Sequence, residues 1–296
     1  MGDQPQPAEV ICRSDTRRDC LALALVLEAA GIRYEMHEDK GEFVLVVAAP
    51  DADRARAEID AYARENRGRL AQDAAPSQRA DGWTGVAGYA AILLIVSILT
   101  QRNLFGFDWV AAGKTHAGLI RQGEWWRAMT ALTLHLDSAH LVANVVFGGL
   151  LGLFAGQLLG CGLAWISILF AGTAGNLLNA WVREPNHTSI GASTAVFAAL
   201  GIVAAYAWKR RRRTEESRLA RWAPLVGGVV LLGYLGTGGA RTDVFAHVAG
   251  FVSGLGLGTF YGMRGDRRML SERTQALLGV CALAALTLAW ILALAA

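Results

Sequence analysis

The chain is poor in the residues that cross-link or rigidify small folds, with 6 prolines and 4 cysteines in 296 residues. Cys12, Cys20, Cys161 and Cys281 show neither paired metal-ligand spacing nor a disulfide framework. Cys161 and Cys281 fall in or beside apolar runs, where cysteine behaves as a small hydrophobe. No His-Glu-x-x-His occurs, so the histidines do not read as a zinc site, and no metal or other cofactor is expected. The first ten residues lack a basic stretch followed by an apolar core, so a cleaved signal peptide is not expected. Gln6 stands where a myristoylation signal requires Ser or Thr. Charge is also scarce, at 18% against 53% hydrophobic residues. What remains is a chain of mean hydropathy +0.32, high for a soluble protein of this length.

The charge that is present is unevenly spread. Residues 1–82 hold 16 of the 25 acids and 11 of the 28 bases, whereas the remainder holds 9 acids and 17 bases. An acidic soluble domain joined to a membrane domain with basic loops is the simplest reading. Residues 1–66 fit a β-α-β-β-α module. It comprises a strand at residues 10–12, a helix capped by Ser14, Asp15 or Thr16 and stopped by Gly31, and an alternating strand over residues 32–37. The turn Asp39-Lys40-Gly41 then leads into an apolar strand at residues 43–47, and an acidic-led helix starts near Pro50. That order suggests a truncated ferredoxin-like sandwich. Binding, regulation and a passive appendage all fit it, and its partner is unknown. Residues 67–83 read as a linker.

A hydrocarbon core of ~30 Å needs about 20 helical residues. Seven segments approach that length: 84–101, 138–160, 162–182, 192–208, 222–240, 242–263 and 274–295. The insert 102–137 carries Trp109, Trp125 and Trp126 and fits an interfacial structure better than a free aqueous loop. The glycine-rich stretch 227–239 reads as a thin, mobile helix rather than a phosphate loop. Seven bases lie between spans four and five and four between spans six and seven, against one each (Arg183 and Arg241) in two opposite loops and four in the longer insert 102–137. The positive-inside rule then makes the N-terminal domain cytoplasmic and the C-terminus external. The basic run at 209–213 reads as topology and headgroup contact, so no nucleic-acid partner is expected.

Two side chains are expensive in such a setting. Ser193 opens span four and His247 lies about 8 Å into span six at the helical rise, both on the outer side. A serine in a membrane helix commonly bonds its own i−4 carbonyl, and a histidine can be a satisfied packing residue. Together they are the minimum equipment of nucleophile and base for acyl transfer. Gly250 and Gly254 lie on the face of His247 as a small-xxx-small surface, with Ala192, Ala195 and Gly201 as small residues on the partner span. His140 and Asn144 share a helix face at the start of span two and carry N–H groups suited to an oxyanion. His37, His116 and His187 suggest no partner and read as surface residues.

Four ordered motifs over about residues 84–263 resemble the rhomboid intramembrane serine proteases: Trp126-Arg127, His135-(x4)-His140-(x3)-Asn144, Gly191-Ala192-Ser193-Thr194, and Ala246-His247-(x2)-Gly250-(x3)-Gly254. The resemblance implies an α-helical polytopic membrane protein with a six-helix core and one further helix. The core would span 84–263, with residues 264–296 supplying a cytoplasmic loop and the seventh helix. It implies a Ser193–His247 dyad without an acidic third member. The oxyanion hole would comprise His140, Asn144 and the Ser193 N–H, and Phe197 would support the histidine. His135 and Gly191 would help shape the site, and Trp126 and Arg127 would be structural. Thr194 departs from the pattern, since many members have glycine there. Implied partners are transmembrane protein substrates and the lipid bilayer, and the location is a bacterial inner membrane. The contrasting expectation is a rhomboid-fold binding or quality-control factor without proteolysis. A transporter would show inverted repeats, and no such symmetry is visible.

Overall fold

A computed structural model describes residues 8–14, 17–39, 42–65, 82–211, 217–236, 242–263 and 270–296. The chain divides into two compact units, Met1–Gln78 and Arg79–Ala296. The expected caps Asp15 and Thr16, the turn residues Lys40 and Gly41, and nearly all of the 67–83 linker lie outside the described residues. So do Arg212, Arg213, residues 237–239, Arg241, Arg264, Arg267 and Arg268.

The first unit runs β1 (Ala8–Ser14), α1 (Arg17–Ala29), β2 (Tyr34–Asp39), β3 (Glu42–Ala48) and α2 (Ala52–Glu65). Its sheet order is β1-β3-β2, with β3 antiparallel to both neighbours. This is the split β-α-β arrangement, in which a crossover helix leaves room for one strand between its own two. As the central strand, β3 is apolar almost throughout, and Val44, Leu45 and Val47 are buried in it. Leu27, Ile32 and Ala55 complete that core with Leu45 and Val47. The second strand starts two residues later than its alternation suggests. Gly31 adopts φ +70° at the end of α1, and the Ile32 N–H bonds back to Leu27 O at 2.9 Å, so Ile32 closes the helix instead of entering the ladder.

Among its described residues the second unit contains seven long helices: α3 (Trp83–Gln101), α4 (Ser138–Leu159), α5 (Cys161–Val182), α6 (Ser193–Arg211), α7 (Arg218–Gly236), α8 (Val244–Met263) and α9 (Glu272–Ala295). Six are long and apolar enough to cross a membrane. The exception is α6, which the hydropathy pattern had counted as a span. It ends in Lys209-Arg210-Arg211, and residues 194–202 are buried without a break. Helices α4, α5, α7 and α8 all pack on it. A helix sheathed by protein meets little lipid, so it needs small residues that admit its neighbours more than it needs a greasy exterior. By contrast α3, α7 and α9 expose Ile95, Val230 and Val280, each more than half accessible, as lipid-facing helices do.

The α6–α8 contact is built by glycine. A Cβ on Gly250, Gly254 or Gly258 would fall 2.3, 2.0 or 2.4 Å from the backbone oxygen of Thr194, Ala198 or Ile202. Four-residue steps on both helices keep these pairs in register and bring the backbones into contact. The seam differs in one respect from expectation. Ala195 faces Gly172 of α5, Ala192 packs with Leu93 and Leu141, and only Gly201 of the three anticipated small residues meets α8. The helical repeat of about 100° per residue decides this, since it aligns 194, 198 and 202 rather than 195.

The insert 102–137 is ordered, with short helices at Trp109–Gly113, Ala117–Arg121 and Arg127–Thr130. Its strand β4 (Thr115–His116) pairs with β5 (Thr188–Ser189), just ahead of α6. Arg127 is 8% exposed; it donates to Ala111 O and Ala112 O at 2.9 Å each and pairs with Glu124 at 2.5 Å. A guanidinium presents several donors in a fixed fork, so one side chain satisfies the last carbonyls of a short helix and a carboxylate together.

Candidate active site

Ser193 is the first residue of α6 and His247 the fourth of α8. Ser193 Oγ lies 2.8 Å from His247 Nε2, and His247 Nδ1 lies 2.9 Å from Gly236 O at the end of α7. A carbonyl can only accept, so Nδ1 must carry the proton. In a neutral imidazole that leaves Nε2 free to accept the serine hydroxyl. The backbone carbonyl at the end of α7 thus sets the tautomer of this imidazole. Phe197, one turn beyond Ser193, tilts against the imidazole with ring centroids 4.6 Å apart. Ser193 and Phe197 share the face of α6 that meets His247.

The turn ahead of Ser193 is held from the insert. Gly191 has φ +139°, a conformation that favours glycine, and its N–H donates to Ala131 O at 3.0 Å. A Cβ there would lie 2.8 Å from His140 Cε1, so the His140 ring packs directly over the turn that leads to Ser193. The Ala192 N–H is 3.5 Å from His135 Nε2, and the His135 and His140 rings meet edge to face with centroids 5.1 Å apart. Burial, aided by the nearby His140, pushes the His135 pKa down from 6.5 to about 4. Asp137 caps α4 by accepting from the His140 N–H at 2.8 Å, which fixes the first turn of the helix that carries His140. Asn144 is buried, and its Nδ2 donates to His140 O at 2.9 Å. One of its two amide hydrogens remains for another acceptor.

The matches to known proteins concern this same region. Residues 122–264 match the Rhomboid domain. The membrane part of the chain is similar to several rhomboid proteases. It is 32% identical over 148 residues to Rhomboid protease GluP of Bacillus subtilis (strain 168), a match covering 49% of this chain and 28% of that protein. It is 32% identical over 153 residues to Rhomboid-like protease 1 of Toxoplasma gondii, covering 50% of this chain and 51% of that one. Rhomboid-like protease 3 of the same organism is 29% identical over 181 residues, 60% of this chain and 68% of that one. The chain therefore spans about half or less of the length of the first two.

Within the matched region the structure gathers Ser193, His247, Phe197, Gly191, His135 and His140 around one point. Asn144 stands one turn behind His140. Gly250 and Gly254 act through the helix seam, and Trp126 and Arg127 act within the insert. His187 corrects its reading as a surface residue without a partner. Its Nε2 lies 2.7 Å from Asp243 Oδ2, while Asn179 Nδ2 donates to that same oxygen at 2.6 Å. Arg183 donates to Asp243 Oδ1 at 2.8 Å, and the Ala246 N–H reaches it at 3.3 Å. His116 also has a partner, since its Nδ1 accepts from the Leu119 N–H at 3.4 Å. His37 lies 3.1 Å from Glu35 on an exposed strand. Asp243 was not singled out by the sequence, although it stands four residues before His247 and caps the same helix. Burial pushes its carboxyl pKa up, but hydrogen bonds from Arg183, His187, Asn179 and the Ala246 amide outweigh that and hold it at about 2. An acid just before a helix that carries a candidate base was the available signal.

Proposed function

We propose that this protein is an intramembrane serine protease that cleaves transmembrane substrates near the outer membrane face. The observation that carries the reading is the 2.8 Å contact between Ser193 and His247 on two helices, with the imidazole tautomer set by Gly236 O. Ser193 Oγ attacks the scissile carbonyl as His247 Nε2 takes its proton. His247 then returns that proton to the leaving amine, and water hydrolyses the acyl-enzyme by the same route in reverse. The Ser193 N–H, His140 and the second amide hydrogen of Asn144 are the donors available to the oxyanion. The substrate helix must unwind locally, because a helical peptide bond is hydrogen-bonded and sterically covered. Small and helix-weakening residues near the cut are therefore favoured.

The basic loops between α6 and α7 and between α8 and α9 orient the protein with residues 1–66 in the cytoplasm, and a bacterial inner membrane fits that orientation. Cleavage of a model transmembrane substrate and labelling by a fluorophosphonate test the reading, with Ser193→Ala and His247→Ala as comparisons. Both signals should fall to background in each variant. Labelling absent from the wild type would instead support a rhomboid-fold binding or quality-control factor, and undiminished cleavage by Ser193→Ala would exclude the dyad.

A further inference from the structure

Helix α9 lies beyond residues 122–264, the part that matches the Rhomboid domain, yet it is fastened to the body of the domain at both ends. Near its start, Gln275 bridges the α4–α5 turn: its Oε1 accepts from the Leu163 N–H at 2.9 Å and its Nε2 donates to Leu159 O at 3.0 Å. Near its end, Trp290 Nε1 donates to Thr133 Oγ1 at 3.2 Å, a buried bond between residues 157 positions apart. Trp290 also packs on Trp109 with centroids 5.2 Å apart, and a Cβ on Gly113 would lie 2.4 Å from its ring. A buried indole with its N–H satisfied is an anchor fixed in both packing and direction.

The segment that Trp290 grips is the one that holds the nucleophile turn. Thr133 donates to Thr130 O at 2.7 Å, and Thr130 donates to Gly113 O at 2.8 Å. Two residues to either side of Thr133, Ala131 O accepts from the Gly191 N–H and His135 Nε2 faces the Ala192 N–H. Leu134 and Ile190 pack into the same apolar cluster as Trp290 and Trp109. A continuous chain of contacts therefore runs from α9 through Thr133 and its neighbours to Gly191, Ala192 and the start of α6.

We infer that Trp290 is a positioning residue for the reaction, and that α9 sets the nucleophile turn and the His135–His140 pair through Thr133. The inference rests on the protease reading for its kinetic consequence, but the placement of the turn is measurable without activity. The experiment compares Trp290→Phe, Trp290→Ala and Thr133→Val in the full-length protein, with Leu283→Ala as the comparison. Leu283 is 52% exposed on the same helix. Cleavage kinetics on a model transmembrane substrate and amide hydrogen exchange over residues 188–193 are the two readouts.

Displacement of a reacting group by ~1 Å costs up to about a hundredfold, so Trp290→Ala should lower kcat by about ten- to a hundredfold with KM unchanged. Thr133→Val removes the hydroxyl at nearly constant volume, Trp290→Phe removes the indole N–H with part of the ring, and each should lose about fivefold. Exchange over 188–193 should quicken in the same order, with α5 and Leu283→Ala unaffected. If Trp290→Ala fails to fold, the two milder variants carry the test. Wild-type kcat and wild-type exchange over 188–193 in those variants would overturn the inference. An inactive wild type whose 188–193 exchange still responds would leave the positioning standing and remove the protease reading alone.

Discussion

Thr194 stands beside Ser193, and glycines on the neighbouring helices make room for it. Its methyl would lie 2.8 Å from a Cβ on Gly175 and 3.0 Å from one on Gly250. The side chain is 3% exposed and fills the space between α5 and α8, away from the dyad. Thr194→Gly should therefore lower stability, by about 1–2 kcal/mol for the cavity and the helix propensity together, while Ser193 labelling persists; thermal unfolding in detergent checks the first part. His135 makes a pH prediction. Its pKa is about 4 in the folded protein against 6.5 unfolded, so the unfolded chain binds the extra proton between those values. Stability is then complete above pH 6.5 and declines by up to about 3 kcal/mol as pH falls towards 4. His135→Gln should flatten that part of a plot of melting temperature against pH, and an unchanged slope would refute the assignment.

At the scale of elements, the α6–α8 seam and the Asp243 cluster place Ser193 and His247 against each other. Gly254→Val puts a branched side chain where a Cβ already lies 2.0 Å from Ala198 O, so the helices must part. Loss of both Ser193 labelling and several degrees of melting temperature is expected. Gly256 on the same helix is exposed and has nothing within 4 Å of its Cβ position, so Gly256→Ala should be neutral or stabilise by up to about 1 kcal/mol. Equal damage from both substitutions would show that the seam is not the cause. Asp243 ties the start of α8 to the end of α5 and to His187 in the turn before α6. Asp243→Ala strands the buried Asn179 amide and removes the partner of Arg183. It should cost about 2–4 kcal/mol, at the lower end because Arg183 is 39% exposed. Its ionic contribution persists above the unfolded carboxyl value near 3.8 and is lost only as pH falls through about 2.

At the scale of the whole molecule, the two units have separate cores, centred on Leu27 and Leu45 in one and on α6 in the other. A chain starting at Arg79 should therefore keep Ser193 labelling, which a fluorophosphonate gel tests directly. The same measurement on the full chain reveals whether residues 1–78 alter the rate. The acidic charge and strand alternation of residues 1–66 set that segment apart from the apolar helical runs that follow.

The sequence by itself determined the elements and much of the candidate chemistry. Apolar runs of about 20 residues have few alternatives to helix, and Ser193, His247, His140 and Asn144 stand at spacings that hydropathy and a known motif set make legible. It could not assign neighbours across the bundle. Whether Ala195 or Thr194 faces α8 depends on a rotation about the helix axis of about 100°, which composition does not encode. His187 and Asp243 are 56 positions apart, and Trp290 and Thr133 are 157 apart. Such pairs exist only once glycines let the helices close to backbone contact, and that closure is a property of the packed structure.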